Sequence, residues 1–297
     1  MSDPSPSPTA HNTPVLSALA RLPLGVWRAA GWVLGQVLAT AAVPRRRVVD
    51  RNLALCFPEQ PPAWRQRVAR AVFVRFAQSW LDRIWLWHGT PELLRQRLQL
   101  DGEAAALVAQ PQAQVLFAPH FMGLDAGWTA LTLMTPQPLV TLFARGAAPW
   151  QDRWIAQGRS RFAPAGILPR VGSAKAVVKA LRDQSALYLL PDMDLGQRDA
   201  VFVPFMGMST ATVTALPRFA TLGRCGVRAV RTHMTPTGYR TTISAPWAQY
   251  PSGDDSADTA AMNAQLETWV RERPEEYYWV HRRFKTRPAG EVGVYEH

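Results

Sequence analysis

The sequence predicts an α/β protein: a single domain with a mostly parallel or mixed central sheet flanked by helices, preceded by an N-terminal membrane-anchoring helix. Three observations carry that prediction. Short apolar runs alternate with helical patterns through the last two thirds of the 297 residues, the arrangement from which such sheets are built. No Gly/Ser-rich or Pro-rich linker interrupts 45–290, so that stretch is expected to fold as one unit. Ahead of it lies an apolar segment that stops at Pro44-Arg45-Arg46-Arg47.

Residues 1–14 carry prolines at 4, 6, 8 and 14 among small polar side chains and read as a disordered lead. Residues 15–44 read as the anchor, and within it 22–43 is mostly apolar, interrupted by Arg28 and Gln36. Only 29–43 is free of charge, and a helix of that length reaches roughly 22 Å, short of the roughly 30 Å core of a bilayer. Starting the span at Leu22 lengthens it but requires Arg28 to snorkel. Arg21 and Arg28, seven apart on one helical face, instead permit a helix lying in the headgroup plane, so a single span and an interfacial anchor both remain open. Ala39-Thr40-Ala41 has the look of a leader cleavage site, but the three arginines directly after it oppose export and mark the next segment as cytoplasmic.

After a Pro-rich break at Pro61-Pro62, a long helix is expected over 63–88, with Phe73, Phe76, Trp80, Ile84 and Trp87 forming an aromatic stripe for core packing or for contact with lipid or an acyl chain. Strands are expected at 115–118, 139–144, 166–168, 186–190, 201–205, 227–231 and 239–244. Helices are expected at 125–134, 150–162, 174–183, 212–222 and 257–273, with a C-terminal tail at 291–297.

The apolar run Val115-Leu116-Phe117 ends at Ala118-Pro119 and delivers His120, then Gly123 for a turn and Asp125 at the start of a helix. His120 and Asp125 read as a catalytic pair. A carboxylate that accepts from one imidazole nitrogen leaves the other free as a general base for a hydroxyl group. Reactive groups in such sheets gather at strand ends, which draws in further residues. Arg145 closes the 139–144 strand, Arg170 precedes the helix opening at Gly172-Ser173, and Asp192 with Asp194 ends the 186–190 strand. Two arginines near one mouth suit a phosphate or a developing oxyanion, and Asp192 reads as a carboxylate that fixes an arginine. No metal and no cofactor are expected, since the helical spacing of metal hydrolases is missing.

Lys and Arg total 33 against 22 Asp and Glu, a formal charge of +11 that points to anionic partners. Nucleic-acid motifs are absent, whereas anionic lipid, a phosphorylated substrate or an acidic carrier protein fits. The 12 Trp, clustered in the first third and near the C-terminus, suit a boundary between apolar and polar surroundings. Cys56 and Cys225 lie far apart in apolar runs and read as reduced packing residues. There is no G-x-S-x-G elbow, no P-loop, no G-x-G-x-x-G and no cysteine beside a histidine. Direct attack by an acceptor hydroxyl on a pre-activated acyl group is then the simplest use of one His-Asp pair.

Several blocks resemble the late acyltransferases of lipid A biosynthesis, the lauroyl and myristoyl transferases within the lysophospholipid and glycerolipid acyltransferase superfamily. His120 and Asp125 match the H-x-x-x-x-D hallmark. Arg51-Asn52-Leu53 with Cys56-Phe57-Pro58-Glu59 resembles the early block, and Pro191-Asp192 with Val201-Phe202-Val203-Pro204-Phe205 the middle one. Tyr278-Trp279-Val280-His281-Arg282-Arg283-Phe284-Lys285-Thr286-Arg287-Pro288 resembles the C-terminal block, the most specific of the set. The likeness covers roughly 20–290. It implies His120 as base, Asp125 as its orienter, an acyl-carrier-protein thioester as donor, and a hydroxyl of a phosphorylated lipid A precursor as acceptor at the cytoplasmic face of the inner membrane. Where the glycerolipid branch carries Glu-Gly-Thr-Arg to bind phosphate, this chain has Pro191-Asp192-Met193-Asp194, which leaves phosphate to Arg145, Arg170 or the pair Arg282 and Arg283. Another glycolipid or lysophospholipid acceptor, or a non-catalytic basic membrane-bound binding protein, are the alternatives.

Overall fold

The computed structural model describes residues 14–295 apart from 110, 145, 147 and 163–165. Residues 1–13 of the expected lead 1–14, and Arg145, therefore lie outside the described residues, while Pro14 is the first residue of a helix. Four helices open the chain: α1 (Pro14–Ala20), α2 (Leu24–Ala41), α3 (Val43–Cys56) and α4 (Pro62–His88). The expected single anchor helix at 15–44 is instead α1, α2 and the first two residues of α3, with an 89° bend between α2 and α3. The break falls at Ala42, two residues before Pro44, whose ring clashes with a carbonyl one turn back and cannot sit inside a continuous helix. No single helix among the described residues is long and apolar enough to cross a membrane.

The α/β part follows as α5 (Pro91–Arg97), β1 (Leu98–Gly102), α6 (Ala104–Ala109), β2 (Gln114–Phe117), α7 (Leu124–Met134), β3 (Leu139–Phe143), α8 (Pro149–Arg159), β4 (Gly166–Pro169), α9 (Ala174–Arg182) and β5 (Ala186–Leu189). It continues with β6 (Ala200–Phe205), β7 (Met208–Val213), α10 (Ala215–Gly223), β8 (Gly226–Thr235), β9 (Gly238–Ile243) and α11 (Asp255–Glu272). Seven strands form one sheet in the order β1-β9-β8-β2-β5-β3-β4, parallel throughout except for the β8–β9 pair. Strands β2 and β5 are buried at every position, as expected of central strands covered on both faces. The run 201–205 does not join this sheet; it pairs with β7 as a separate antiparallel hairpin. β7 occupies the start of the expected 212–222 helix, which begins only at Ala215.

Helix α2 lies directly on α4. A Cβ on Gly31 would sit 2.7 Å from the Gln78 side chain, and one on Gly35 would sit 2.4 Å from the Val74 Cα, so the two backbones touch where these glycines fall. Arg28 reaches the buried Asp82 carboxylate at 3.1 Å, and Gln78 Nε2 donates to the Arg28 carbonyl. Asp82 also accepts from Tyr239 Oη at 2.6 Å and from Trp85 Nε1 at 2.8 Å, which ties the N-terminal helices to the sheet. In the aromatic stripe, Phe73 and Trp87 are buried, while Phe76, Trp80 and Ile84 stay half-buried. Gly35→Val should force the two helix backbones apart and cost about 1–3 kcal/mol, read as a lower urea midpoint with the slope unchanged.

Candidate active site

Parallel pairing of β2 with β5 sets Phe117 opposite Leu189. Each strand then runs through one more apolar residue to a proline, Pro119 or Pro191, and so His120 and Asp192 stand at equivalent positions, each three residues beyond its partnered strand end. The Asp192 carboxylate takes hold of His120 twice. Oδ2 accepts from the His120 backbone N–H at 3.0 Å, and Oδ1 lies 2.7 Å from Nδ1. Asp192 is fully buried and the His120 side chain is 20 % exposed, so one ring edge faces out. Burial alone would raise the Asp192 pKa, but the His120 ring and backbone N–H, with Arg283 beyond, hold it below the usual carboxylate value. An ionised Oδ1 fixes the tautomer with the proton on Nδ1 and leaves the Nε2 lone pair free. Among the described residues no hydroxyl or thiol hydrogen-bonds that ring.

Asp125 is not the partner of His120. From the first turn of α7 its two oxygens are taken by two arginines: Oδ1 by Arg159, with Nε at 2.8 Å and Nη2 at 2.7 Å, and Oδ2 by Arg83, with Nε at 2.9 Å and Nη2 at 2.8 Å. Burial pushes the Asp125 pKa up, and the two guanidinium groups more than reverse it, leaving it depressed. The cluster holds two positive charges against one negative. Arg83 stacks over Trp80, its Cζ 4.4 Å from the ring centroid, and Trp80 stacks in turn on Trp154 at 5.7 Å. Tyr278 bridges toward the imidazole, its ring 6.3 Å from His120 and 6.2 Å from Phe76. Arg83 and Arg159 were missed in the sequence because each is one of many arginines on a helix, and only the fold shows that they share a carboxylate.

The other expected site residues divide. Asp192 fixes a histidine and not an arginine. Arg283 is buried and spends its guanidinium on the β6–β7 hairpin, donating to the Ala211 carbonyl at 2.9 Å and to Thr212 Oγ1 at 2.8 Å, which removes it as a substrate contact. Arg282 is exposed over the Tyr295 ring, and Arg170 is exposed after the edge strand β4. Asp194 clamps the C-terminal block, accepting from Thr286 N and Oγ1 at 2.8 Å each, while its own N–H donates to His281 Nε2 at 3.0 Å. Burial, with help from Arg283, pushes His281 down to about 4, so it stays a neutral acceptor. Asn52 Nδ2 donates to the carbonyls of Trp279 and His281, binding α3 to the same block. Burial raises the Cys56 thiol far above its ordinary value, which leaves it unreactive.

An imidazole braced by a buried carboxylate stands at the end of a parallel sheet, and a carboxylate shared by two arginines opens the helix that follows it, a cluster of polar groups at the strand ends of an α/β protein. The family model for bacterial lipid A biosynthesis acyltransferase matches residues 12–286. The chain belongs to that family, and it is an acyltransferase of lipid A biosynthesis. It is 29% identical over 283 residues to the lipid A biosynthesis lauroyltransferase of Escherichia coli K12, covering 93% of this chain and 90% of the relative. It is 27% identical over 287 residues to the palmitoleoyltransferase of the same organism, covering 95% and 92%. Against the myristoyltransferase it is 27% identical over 267 residues, covering 89% and 82%.

Removing the shared counter-ion should be costly. Asp125→Asn is expected to lower the unfolding free energy at pH 7 by about 3–5 kcal/mol, the range for breaking a buried ion pair. Because the native pKa of Asp125 is depressed, its contribution is full above the unfolded value and is lost as pH falls through the native one. The gap between native protein and variant should therefore close on acidification, as measured by denaturant unfolding across pH.

Proposed function

We propose that the chain transfers a fatty acyl group from an acyl-carrier-protein thioester to a hydroxyl of a phosphorylated lipid A precursor at the cytoplasmic face of the inner membrane, with His120 as general base. The single observation that supports this most is the pair of hydrogen bonds that Asp192 accepts from His120, which leaves Nε2 as the only uncommitted basic atom of the ring. The acceptor hydroxyl gives its proton to Nε2 as its oxygen attacks the thioester carbonyl. Asp192 stabilises the imidazolium that forms. The C–S bond then breaks, and the departing thiolate takes the proton back from Nε2, so the cycle balances without a covalent enzyme intermediate.

Asp125 serves this chemistry through its arginines. Five residues along the chain from His120, it holds Arg83 and Arg159 in fixed orientations, and in this reading their surplus positive charge offsets the negative charge that develops on the thioester oxygen. Phe76, Trp80, Trp154 and Tyr278, all half-buried, supply an apolar wall for the acyl chain. Burying a dodecanoyl chain is worth on the order of 8 kcal/mol at about 0.8 per methylene, so that wall and not the imidazole governs chain length. Arg282, exposed within the C-terminal block, and Arg170, exposed after β4, are left as contacts for acceptor phosphate or the acidic carrier.

His120→Ala should reduce turnover with carrier-bound acyl donor by about 10²- to 10⁴-fold, the usual contribution of a positioned base, with its thermal unfolding close to native. Asp192→Asn should lower kcat within that range and leave KM near native. Turnover within a few-fold of native in either variant would overturn the assignment.

A further inference from the structure

Helix α2 has its polarity reversed for a surface helix of a water-soluble domain. Its one charged residue, Arg28, turns inward to Asp82, to the Gly238 carbonyl and over the Tyr239 ring. Its outward positions, Gly25, Val26, Ala29, Ala30, Trp32, Val33, Leu34, Val37, Thr40 and Ala41, carry no charge. Trp32, Val33 and Val37 are each more than half exposed. Even Thr40 donates its hydroxyl back to the Val37 carbonyl, so the face offers a partner almost no polar side chain. Water is a poor neighbour for such a face.

We propose that the outward face of α2 beds into the headgroup boundary of a bilayer, with the helix lying in the membrane plane. The docking of α2 excludes its use as a span: its other side is committed to α4 through Gly31 and Gly35, and its N-terminal half is tied to the sheet through Arg28. At 18 residues it reaches about 27 Å, and its continuation α3 leaves at 89°. Charge complementarity names the occupant. Exposed Arg21 lies just ahead of α2, and exposed Arg45 and Arg47 lie just after it at the start of α3, on either side of an Arg46 paired with Asp50, so the apolar strip is bracketed by cations that suit anionic headgroups. Arg45 also donates to the Val280 carbonyl at 3.3 Å, two residues from Tyr278, whose ring lies 6.3 Å from that of His120, so the α3 end of the docked edge lies on the segment that faces the imidazole. An acceptor drawn sideways from the headgroup layer would meet the site there. That last point rests on the proposed lipid acceptor, whereas the docking itself does not.

The full chain is tested by flotation with phosphatidylcholine vesicles, with and without phosphatidylglycerol. The native protein should float with the anionic vesicles, and Val33→Asp with Val37→Asp should weaken partitioning by at least about tenfold. Retained thermal unfolding and native turnover on detergent-dispersed acceptor would accompany that loss, and a milder Trp32→Ser variant gives a second reading. Nitroxide labels at Val26→Cys and Val37→Cys, in a Cys225→Ser background, should report equal shallow depth. Unchanged flotation of the double variant, label depths differing by roughly the 16 Å that eleven residues of helix would span, or a native dimer that the double variant turns into monomer would each overturn the proposal. Absence of acyl transfer in protein that still floats would count against the enzymatic reading alone.

Discussion

One buried carboxylate, accepting from both the backbone N–H and the ring of the same histidine, is the interaction on which the site depends. Asp192 and His120 are 72 residues apart, and only the parallel pairing of β2 with β5 makes them neighbours. That pairing is held by strands buried on both faces, so the imidazole is aimed from the centre of the packed sheet. A double hold of this kind restricts the ring in position and in tautomer, which a single side-chain contact would not do.

Around that pair the chain arranges a second electrostatic unit. Asp125 binds Arg83 from α4 and Arg159 from α8, joining two helices that flank the sheet and leaving one net positive charge in a largely desolvated place. The carboxylate five residues after the histidine is therefore bound to cations, and the histidine ring is held from a neighbouring strand. The two functions that the H-x-x-x-x-D spacing invites one to merge are physically separate here. Behind both units, Asp194, His281 and Asn52 lock the C-terminal block against the Asp192 loop, which explains why blocks far apart in sequence share one neighbourhood.

Much of this was legible in the sequence. The α/β class, most sheet strands and His120 at a strand end followed from apolar runs stopped by proline. The partner of the histidine did not, although a signal existed: Phe117-Ala118-Pro119-His120 and Leu189-Leu190-Pro191-Asp192 have the same form, an apolar run, a proline and then a functional polar residue. Strand adjacency is a long-range property, and short spacing favoured Asp125 in its place. Arg283 looked like a surface cation because burial of a guanidinium on a hairpin leaves no local pattern. The N-terminal apolar segment read equally well as a span or as an interfacial helix, since hydropathy cannot reveal that Arg28 has a buried partner 54 residues on. The hairpin strand β7 was hidden in a Thr-rich stretch that gave no strong alternation.

The most direct test of the Asp192–His120 pairing is the imidazole proton itself. In protein with ¹⁵N-labelled histidine, a downfield Nδ1–H resonance assigned to His120 should be present in the native chain, persist in Asp125→Asn and vanish or shift strongly in Asp192→Asn. Loss of that resonance in Asp125→Asn with its retention in Asp192→Asn would contradict the account.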